Sequence, residues 1–430
     1  MPTHEHLPVE CLGSPTLESP LLLKRDSGFV DDAARVRSTV EVPSEPSSRP
    51  ELLFEKAGPR KKIFFDPAQT RAALVTCGGL SPGLNNVIRA IYHELSRNYG
   101  VQRILGIRSG YQGMNPESGL EPRVLDETFV QDIEYLGGTV LGSSRGGQDP
   151  AVMVDFLEQR EIDILFCIGG DGTQRGAHAI CEELRKRALR KSVVGIPKTI
   201  DNDIPFVGMS FGYVTALEKA AEVIRAAHVE ARGAPNGIAV VKVMGRKSGF
   251  IAASAAVVSH ETDYVLVPEV PFPLEGEAGF LAALEQRMLQ RKHAVVVVAE
   301  GAGQNLFEDR ERRRDASGNV LLEDIGSLLC DRIRDHFARR GIPINLKYLD
   351  PSYLIRSIPA NAWDCFLSEQ MARNAVHAAM AGKTDVMIGL CHLTLIHVPI
   401  STTVAAGRKQ VDPSGELWTA VLATTNQPDW

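Results

Sequence analysis

The chain has little of what would mark a scaffold, a membrane protein or a nucleic-acid binder. Its seven cysteines include no CxxC pair and no zinc-like spacing, so neither a disulfide framework nor a structural zinc site is expected, and a reducing intracellular compartment is. No apolar run reaches the roughly 18 residues needed to cross a bilayer, so no helical membrane span is expected. Positive charge is not in excess: 47 Lys and Arg against 53 Asp and Glu give a formal net charge of −6, which speaks against nucleic acid as a partner. No internal repeat is visible. Residues 1–60 are rich in Pro, Ser and charge without a sustained hydrophobic period, and read as a mostly disordered extension. That stretch lacks the apolar core of a secretory signal, and its acidic residues speak against a transit peptide. The cytoplasm is favoured, with a plastid left open.

The remainder has the composition of a soluble globular protein. At 430 residues, 44% hydrophobic and 23% charged, it suffices for two domains with well-buried cores. From residue 72 onward apolar β-prone runs alternate with helical periods. Strands are expected at Ala72–Cys77, Ile104–Ile107, Ile162–Ile168, Ser192–Ile196, Ile238–Val243, Tyr264–Val267 and Ala294–Ala299, with helices over Gln174–Leu189 and Val214–Ala231. Apolar strands with helical crossovers imply α/β architecture with parallel sheets covered on both faces. Two Rossmann-like three-layer lobes are expected. The first covers 61–205, completed by part of the C-terminal region; the second covers 206–400, and 401–430 form a closing segment.

Glycine loops stand at the ends of the expected strands. Gly169-Gly170-Asp171-Gly172-Thr173 follows one, and Pro197-Lys198-Thr199-Ile200-Asp201-Asn202-Asp203 follows the next. A glycine turn after a strand exposes backbone N–H groups where a polyphosphate can approach. Asp171 suits a Mg²⁺–phosphate complex, with a helix N-cap as the plainer alternative. Asp201 can take a proton from an alcohol, and Lys198 can offset charge on a transferring phosphoryl group; an Asx turn is the plainer account of that loop.

Further loops repeat the pattern. Gly78-Gly79 links a strand to a helix, where a tight turn would look the same. Arg145 and Gly146, in Leu-Gly-Ser-Ser-Arg-Gly-Gly, offer a cation on a flexible backbone. Met244-Gly245-Arg246, Glu300-Gly301 and Tyr353-Leu354-Ile355-Arg356 are strand-end loops whose arginines could clamp a substrate phosphate and whose Glu300 could accept sugar hydroxyls. Structural ion pairs would account for each of these alone. Cys77 and Cys167 read as core residues, with a redox role for Cys77 as the alternative.

The ordered series GGLSPGLN, LGSSRGG, GGDGT, PKTIDND, MGR, AEG and YLIR, over about residues 70 to 425, resembles the 6-phosphofructokinases. GIPKTIDND, NLKYLDPSY and TTNQP make it most similar to the ATP-dependent plant and algal branch. The resemblance implies an allosteric glycolytic kinase that moves the γ-phosphoryl group of ATP to the 1-hydroxyl of fructose 6-phosphate, in a cleft between lobes that close to exclude water. On it, Gly79, Arg145, Gly146 and Gly170 to Thr173 cradle ATP, with Asp171 at Mg²⁺. Asp201 is the proton acceptor, Lys198 and Arg246 act in catalysis, and Asp203 supports Asp201 or the metal. Thr199, Ile200, Met244, Gly245, Arg246, Glu300 and Tyr353 to Arg356 hold the sugar phosphate. A homo-oligomer, tetrameric by resemblance, is implied.

Gly172 favours ATP, because pyrophosphate-dependent relatives usually carry Asp there; Lys198 is a feature of those relatives and keeps that donor as the alternative. An NAD or lipid kinase, which also uses a Gly-Gly-Asp-Gly loop, and a non-catalytic regulatory subunit are the remaining readings. Two positions depart from the bacterial pattern of intersubunit arginines, Gly237 and Lys347. Residues 390–399 also lack the Asn-Gly or Asn-Thr turn expected before the last strand.

Overall fold

The protein is described here by a computed structural model over residues 4–41, 50–307, 314 and 320–430. The chain forms two units. The first comprises Met1–Thr199, Ile204–Gly212 and Ile358–Gly407, and the second Ile200–Asp203, Tyr213–Ser357 and Arg408–Trp430.

The first unit is built on a sheet of ten strands among the described residues. Its centre is parallel, in the order Val386–Cys391, Ser192–Pro197, Ile164–Gly169, Arg71–Thr76 and Arg103–Ile107. Ile164–Gly169 and Ser192–Pro197 are buried at every residue, as strands covered on both faces require. The helices Leu84–His93 and Ala362–Met380 pack together, and the latter also lies on Ser192–Pro197. This return of the chain explains a difference from the expected boundaries: residues 358–400 belong with the first lobe, not the second. Local periodicity marks that helix and the strands after it, but carries no sign of which sheet they join.

The segment expected to be disordered over 1–60 is built into the first unit wherever it is described. Glu51–Lys56 pairs with Thr394–Pro399, with Arg35–Arg37 and with His4–His6. Glu10–Cys11 pairs with Lys383–Thr384, and Leu17–Glu18 with Lys62–Ile63. Residues 1–3 and 42–49 lie outside the described residues. The polar composition hid these strands because they are short edge additions that borrow their partners from a finished sheet.

The missing turn before the last strand also has an answer. Val386–Cys391 and Thr394–Pro399 form an antiparallel hairpin closed by His392 and Leu393, whose φ angles are 48° and 62°. Two positive φ values suit a tight hairpin turn, yet neither residue is glycine. The N-terminal segment braces the turn: Cys391 Sγ donates to the Arg37 carbonyl at 3.3 Å and His392 Nε2 lies 3.2 Å from the Ser38 carbonyl.

The second unit holds a fully parallel sheet in the order Tyr264–Leu266, His293–Ala299, Gly237–Val243 and Asn345–Leu349. Side chains alternate between its faces. Ile238, Val240, Val296 and Val298 pack in one core with Leu281 and Leu284 of the helix Phe280–Arg291 and with Leu329, Ile333 and Phe337 of Ile325–Arg339. The helices Tyr213–Gly233 and Phe250–Ser259 also contact this sheet. Ala239, Val241, Val295 and Val297, at the alternate positions, are fully buried. Among the described residues no helix is long and apolar enough to cross a membrane.

Candidate active site

Three adjacent parallel strands of the first unit end in the loops singled out above. The loop after Arg71–Thr76 carries Gly78-Gly79, that after Ile164–Gly169 carries Gly170 to Thr173, and that after Ser192–Pro197 begins at Lys198. Carboxyl ends of parallel strands are where such sheets bind ligands. The loops are stitched together by their backbones. Gly78 N donates to the Ser144 carbonyl at 3.0 Å, Ser143 Oγ to the Gly78 carbonyl at 2.6 Å, and Lys198 N to the Gly169 carbonyl at 3.0 Å. This brings Ser143 and Ser144, and with them the Arg145-Gly146 turn, to the first glycine loop; Arg145 itself is exposed.

The glycines of Gly-Gly-Asp-Gly-Thr do different work. A Cβ at Gly169 would lie 2.1 Å from Thr173 Oγ1, so packing alone forbids a side chain there. At Gly172 a Cβ would meet no protein atom closer than Arg175 Nη2 at 4.0 Å. The fold therefore does not need glycine at 172. Asp171 is the first residue of the helix Asp171–Lys186, with Gly170 as the cap residue. The capping account of Asp171 is thereby corrected: it sits inside the first turn, where the helix dipole favours a carboxylate, and pairs with Arg175 one turn on.

Lys198 is 5% exposed, and its Nζ donates to the Gly79 carbonyl at 2.5 Å. That bond ties the ammonium to the first glycine loop. Cys77 is buried, and burial together with the neighbouring Cys167 pushes its thiol far up, which opposes the thiolate a redox role needs.

The chain passes into the second unit between Thr199 and Ile200. Ile200 is 5% exposed, an anchor for the loop rather than a surface contact. Asp201 is half-buried and its carboxyl is pushed up to about 7, first by burial and then by the charges of Asp203 and Glu300; Arg408 and the Arg246 backbone N–H oppose the rise. Asn202, between the two carboxylates, takes φ 52°. Ser248 Oγ donates to the Asp201 carbonyl at 3.1 Å and ties this loop to the one after Gly237–Val243.

The strand-end logic repeats in this unit. Met244-Gly245-Arg246 follows Gly237–Val243, Glu300 follows His293–Ala299, and Tyr353 to Arg356 come shortly after Asn345–Leu349. Gly301 N donates to the Gly245 carbonyl at 3.1 Å. Burial raises the Glu300 carboxyl, while the charges of Arg246, Lys242 and Arg356 pull it back. Arg246 also donates to the Val320 carbonyl. Tyr353 and Leu354 are 73% and 70% exposed, Ile355 is fully buried, and the Arg356 guanidinium lies over the Tyr353 ring at 5.1 Å. Such a set can hold a phosphate and a polyol together.

The two departures resolve differently. A Cβ at Gly237 would fall 2.0 Å from the Ala231 carbonyl oxygen, so no side chain fits. Lys347 is exposed on its strand. Sequence reasoning missed Arg175, and it missed Arg408 and Lys409. Arg408 Nη1 pairs with Asp203 Oδ2 at 2.5 Å, and Lys409 N donates to the Asp203 carbonyl at 2.9 Å. Burial pushes the Lys409 ammonium down to about 8, against the pull of Asp203. Gly-Arg-Lys-Gln follows no strand, so strand-end spacing gave no signal for it.

Two strand-end loop systems, one offering backbone N–H groups and a carboxylate, the other a carboxylate pair with arginines, fit a phosphotransferase of the α/β class. The Phosphofructokinase family profile matches residues 71–379, and the chain belongs to that family. It is similar to an ATP-dependent 6-phosphofructokinase of Borreliella burgdorferi, 47% identical over 98% of this chain and 96% of that one. It is also similar to ATP-dependent 6-phosphofructokinase 1 of Arabidopsis thaliana, 45% identical over 94% and 84% of the respective chains. Among solved structures, a pyrophosphate-dependent phosphofructokinase of Marinobacter aquaeolei shares the fold, with TM-score 0.68 and 19% identity over 84% of this chain and 92% of that one.

Proposed function

We propose that this chain is an ATP-dependent 6-phosphofructokinase. The 1-hydroxyl oxygen of fructose 6-phosphate attacks the γ-phosphorus of ATP, the bond to the β–γ bridging oxygen breaks, and ADP leaves. The hydroxyl proton goes to Asp201. The observation that carries the reading is this carboxylate: burial, Asp203 and Glu300 raise its affinity for a proton, as suits a general base working near neutral pH.

On this reading Gly79, Arg145, Gly146 and Gly170 to Thr173 bind the nucleotide, and the open space at Gly172 supports ATP as donor. Lys198 offsets charge on the transferring group. Thr199, Met244, Gly245, Arg246, Glu300, Tyr353, Leu354 and Arg356 bind the sugar phosphate, with Arg246 and Arg356 on its charge, while the buried Ile200 and Ile355 anchor their loops. Among the described residues no group of three or more His, Cys, Asp or Glu could hold a metal by itself. A single carboxylate, Asp171, instead fits Mg²⁺ held largely by phosphate oxygens, which supplies charge neutralisation when bound.

All seven cysteines are free thiols, which supports a reducing compartment, the cytoplasm in the first instance. A homo-oligomeric state belongs to the same reading and is checked by sedimentation. The deciding experiment is a coupled assay of fructose 6-phosphate phosphorylation with Mg²⁺ and either ATP or pyrophosphate. Turnover with ATP is expected. Turnover with pyrophosphate alone would overturn the donor, and none with either would overturn the enzyme.

A further inference from the structure

Residues 408–411 lie far along the chain from every strand-end loop, yet in the second unit they fasten the loop that bears both carboxylates. Arg408 Nη1 meets Asp203 Oδ2 at 2.5 Å, and Lys409 N donates to the Asp203 carbonyl at 2.9 Å. Gln410 Nε2 donates to the Lys247 carbonyl at 3.1 Å, one residue past Arg246. Val411 N donates to Glu269 Oε1 at 2.9 Å, and the same oxygen accepts from Gly249 N at 2.9 Å. The Lys409 ammonium rests over the Phe250 ring at 5.2 Å. Four successive residues thus hold the 201–203 loop and the 245–249 loop.

The charges explain why a cation belongs here. Asp201 and Asp203 stand two residues apart, and Glu300 adds a third negative charge felt at Asp201. Like charges in a partly desolvated loop repel and would open it. The Asp203 side chain is only 7% exposed, so water screens it little, while Arg408 reaches it from the edge of the unit at 25% exposure. A charge-assisted bond at such a carboxylate fixes its position as well as its charge.

We infer that Arg408 is a positioning residue for phosphoryl transfer, acting through Asp203 to keep the Asp201 carboxylate aimed at the acceptor hydroxyl. The inference rests on Asp201 being the base. Arg408 touches neither substrate in this scheme, so its removal affects the chemical step more than binding. A misplacement on the order of 1 Å costs about 100-fold in rate.

The test is steady-state kinetics of full-length Arg408→Gln, Arg408→Lys, Asp203→Asn and the double variant Arg408→Gln/Asp203→Asn. Arg408→Gln is expected to lower kcat by about 10- to 100-fold, with KM for fructose 6-phosphate changed less than about threefold. Arg408→Lys is expected to recover part of that loss. The double variant should be no slower than Asp203→Asn alone, since Arg408 acts through that residue. An unchanged kcat in Arg408→Gln, a rise in KM with kcat intact, or independent multiplicative losses in the double variant would each overturn the inference. If Arg408→Gln alone does not fold, the double variant against Asp203→Asn decides the matter, because it removes both charges of the pair together. Wild-type turnover in Asp201→Asn would sink the base assignment instead. A dead Asp201→Asn beside an unaffected Arg408→Gln would sink only the positioning role.

Discussion

Lys198 Nζ and the Gly79 carbonyl oxygen are 2.5 Å apart, joining loops separated by 119 residues. The ammonium donates to a backbone carbonyl at a glycine turn, and the residue is 5% exposed. On the proposed reading, a cation at the nucleotide's glycine loop acts on the phosphate side of the reaction, with little part in holding the sugar.

Lys198→Met should accordingly lower kcat with ATP by about 100- to 1,000-fold, the usual cost of losing one stabilising donor. KM for fructose 6-phosphate should stay within about threefold of wild type. Steady-state kinetics with each substrate varied in turn checks this. A change confined to KM for the sugar would place the ammonium on the acceptor instead.

Gly172 lends itself to a cleaner separation of fold from ligand. Nothing in the protein comes nearer than 4.0 Å to a Cβ there, so Gly172→Asp should leave the melting temperature within about 2 °C, as for an ordinary surface change. Turnover with ATP should fall by about 100-fold or more, because a carboxylate would meet the nucleotide phosphates at close range. Calorimetry beside the coupled assay distinguishes the two. Equal loss of stability and activity would mean that the glycine serves the fold after all.

The legible parts of this chain were those dictated locally. Gly169 to Thr173 and Pro197 to Asp203 follow buried strands, and both the strand and the glycine turn have short-range signatures. Most expected strands fall within a residue or two of their observed ends for the same reason. The N-terminal strands were illegible because Glu10–Cys11 and Leu17–Glu18 are two residues each, too short for any hydrophobic period. Arg408 was illegible for a different reason: its partner, Asp203, lies 205 residues earlier. Pairings of that range come from the topology, and no spacing rule reports them.

The N-terminal segment holds part of the first unit's polar core, so its removal has a definite cost. Glu55 Oε1 accepts from Arg60 Nη2 at 2.8 Å and from His397 Nδ1 at 3.0 Å, and Lys383 Nζ lies 3.0 Å away. All four side chains are at least nine-tenths buried. Burial acts to raise the Glu55 carboxyl, but His397 and Lys383 outweigh it and bring it to about 2.

Glu55→Gln would leave the buried Arg60 and Lys383 only the exposed carboxylate of Asp32, at 2.7 and 3.6 Å, a loss on the order of 1–3 kcal/mol. A carboxyl lowered in the folded state stabilises fully above its unfolded value of about 4.3, and that stabilisation fades as pH falls toward 2. The difference in denaturation midpoint between wild type and Glu55→Gln should therefore be large at pH 7 and shrink steadily below pH 4. Deletion of residues 1–60 should destabilise the first unit at least as much. A deletion that melts like the full chain would show that these strands add nothing.

Asp201 has the opposite sign. Its carboxyl is raised to about 7, against about 3.9 in an unfolded chain. Between those values the folded protein binds the proton more tightly than the unfolded one, so this group stabilises least at high pH. As pH rises from 4 the folded state is progressively penalised, and above about 7 the penalty is complete. Asp201→Asn cannot ionise and escapes it. The variant should lose about 100- to 10,000-fold in kcat, yet melt above wild type at pH 8, by a few degrees if the relief is on the order of 1 kcal/mol. That advantage should close toward pH 4. In wild type, kcat/KM for fructose 6-phosphate should climb through about pH 7, as the free enzyme's base loses its proton. A melting difference independent of pH would mean that Asp201 is not strained in the resting protein, and that its proton affinity is set only when substrates bind.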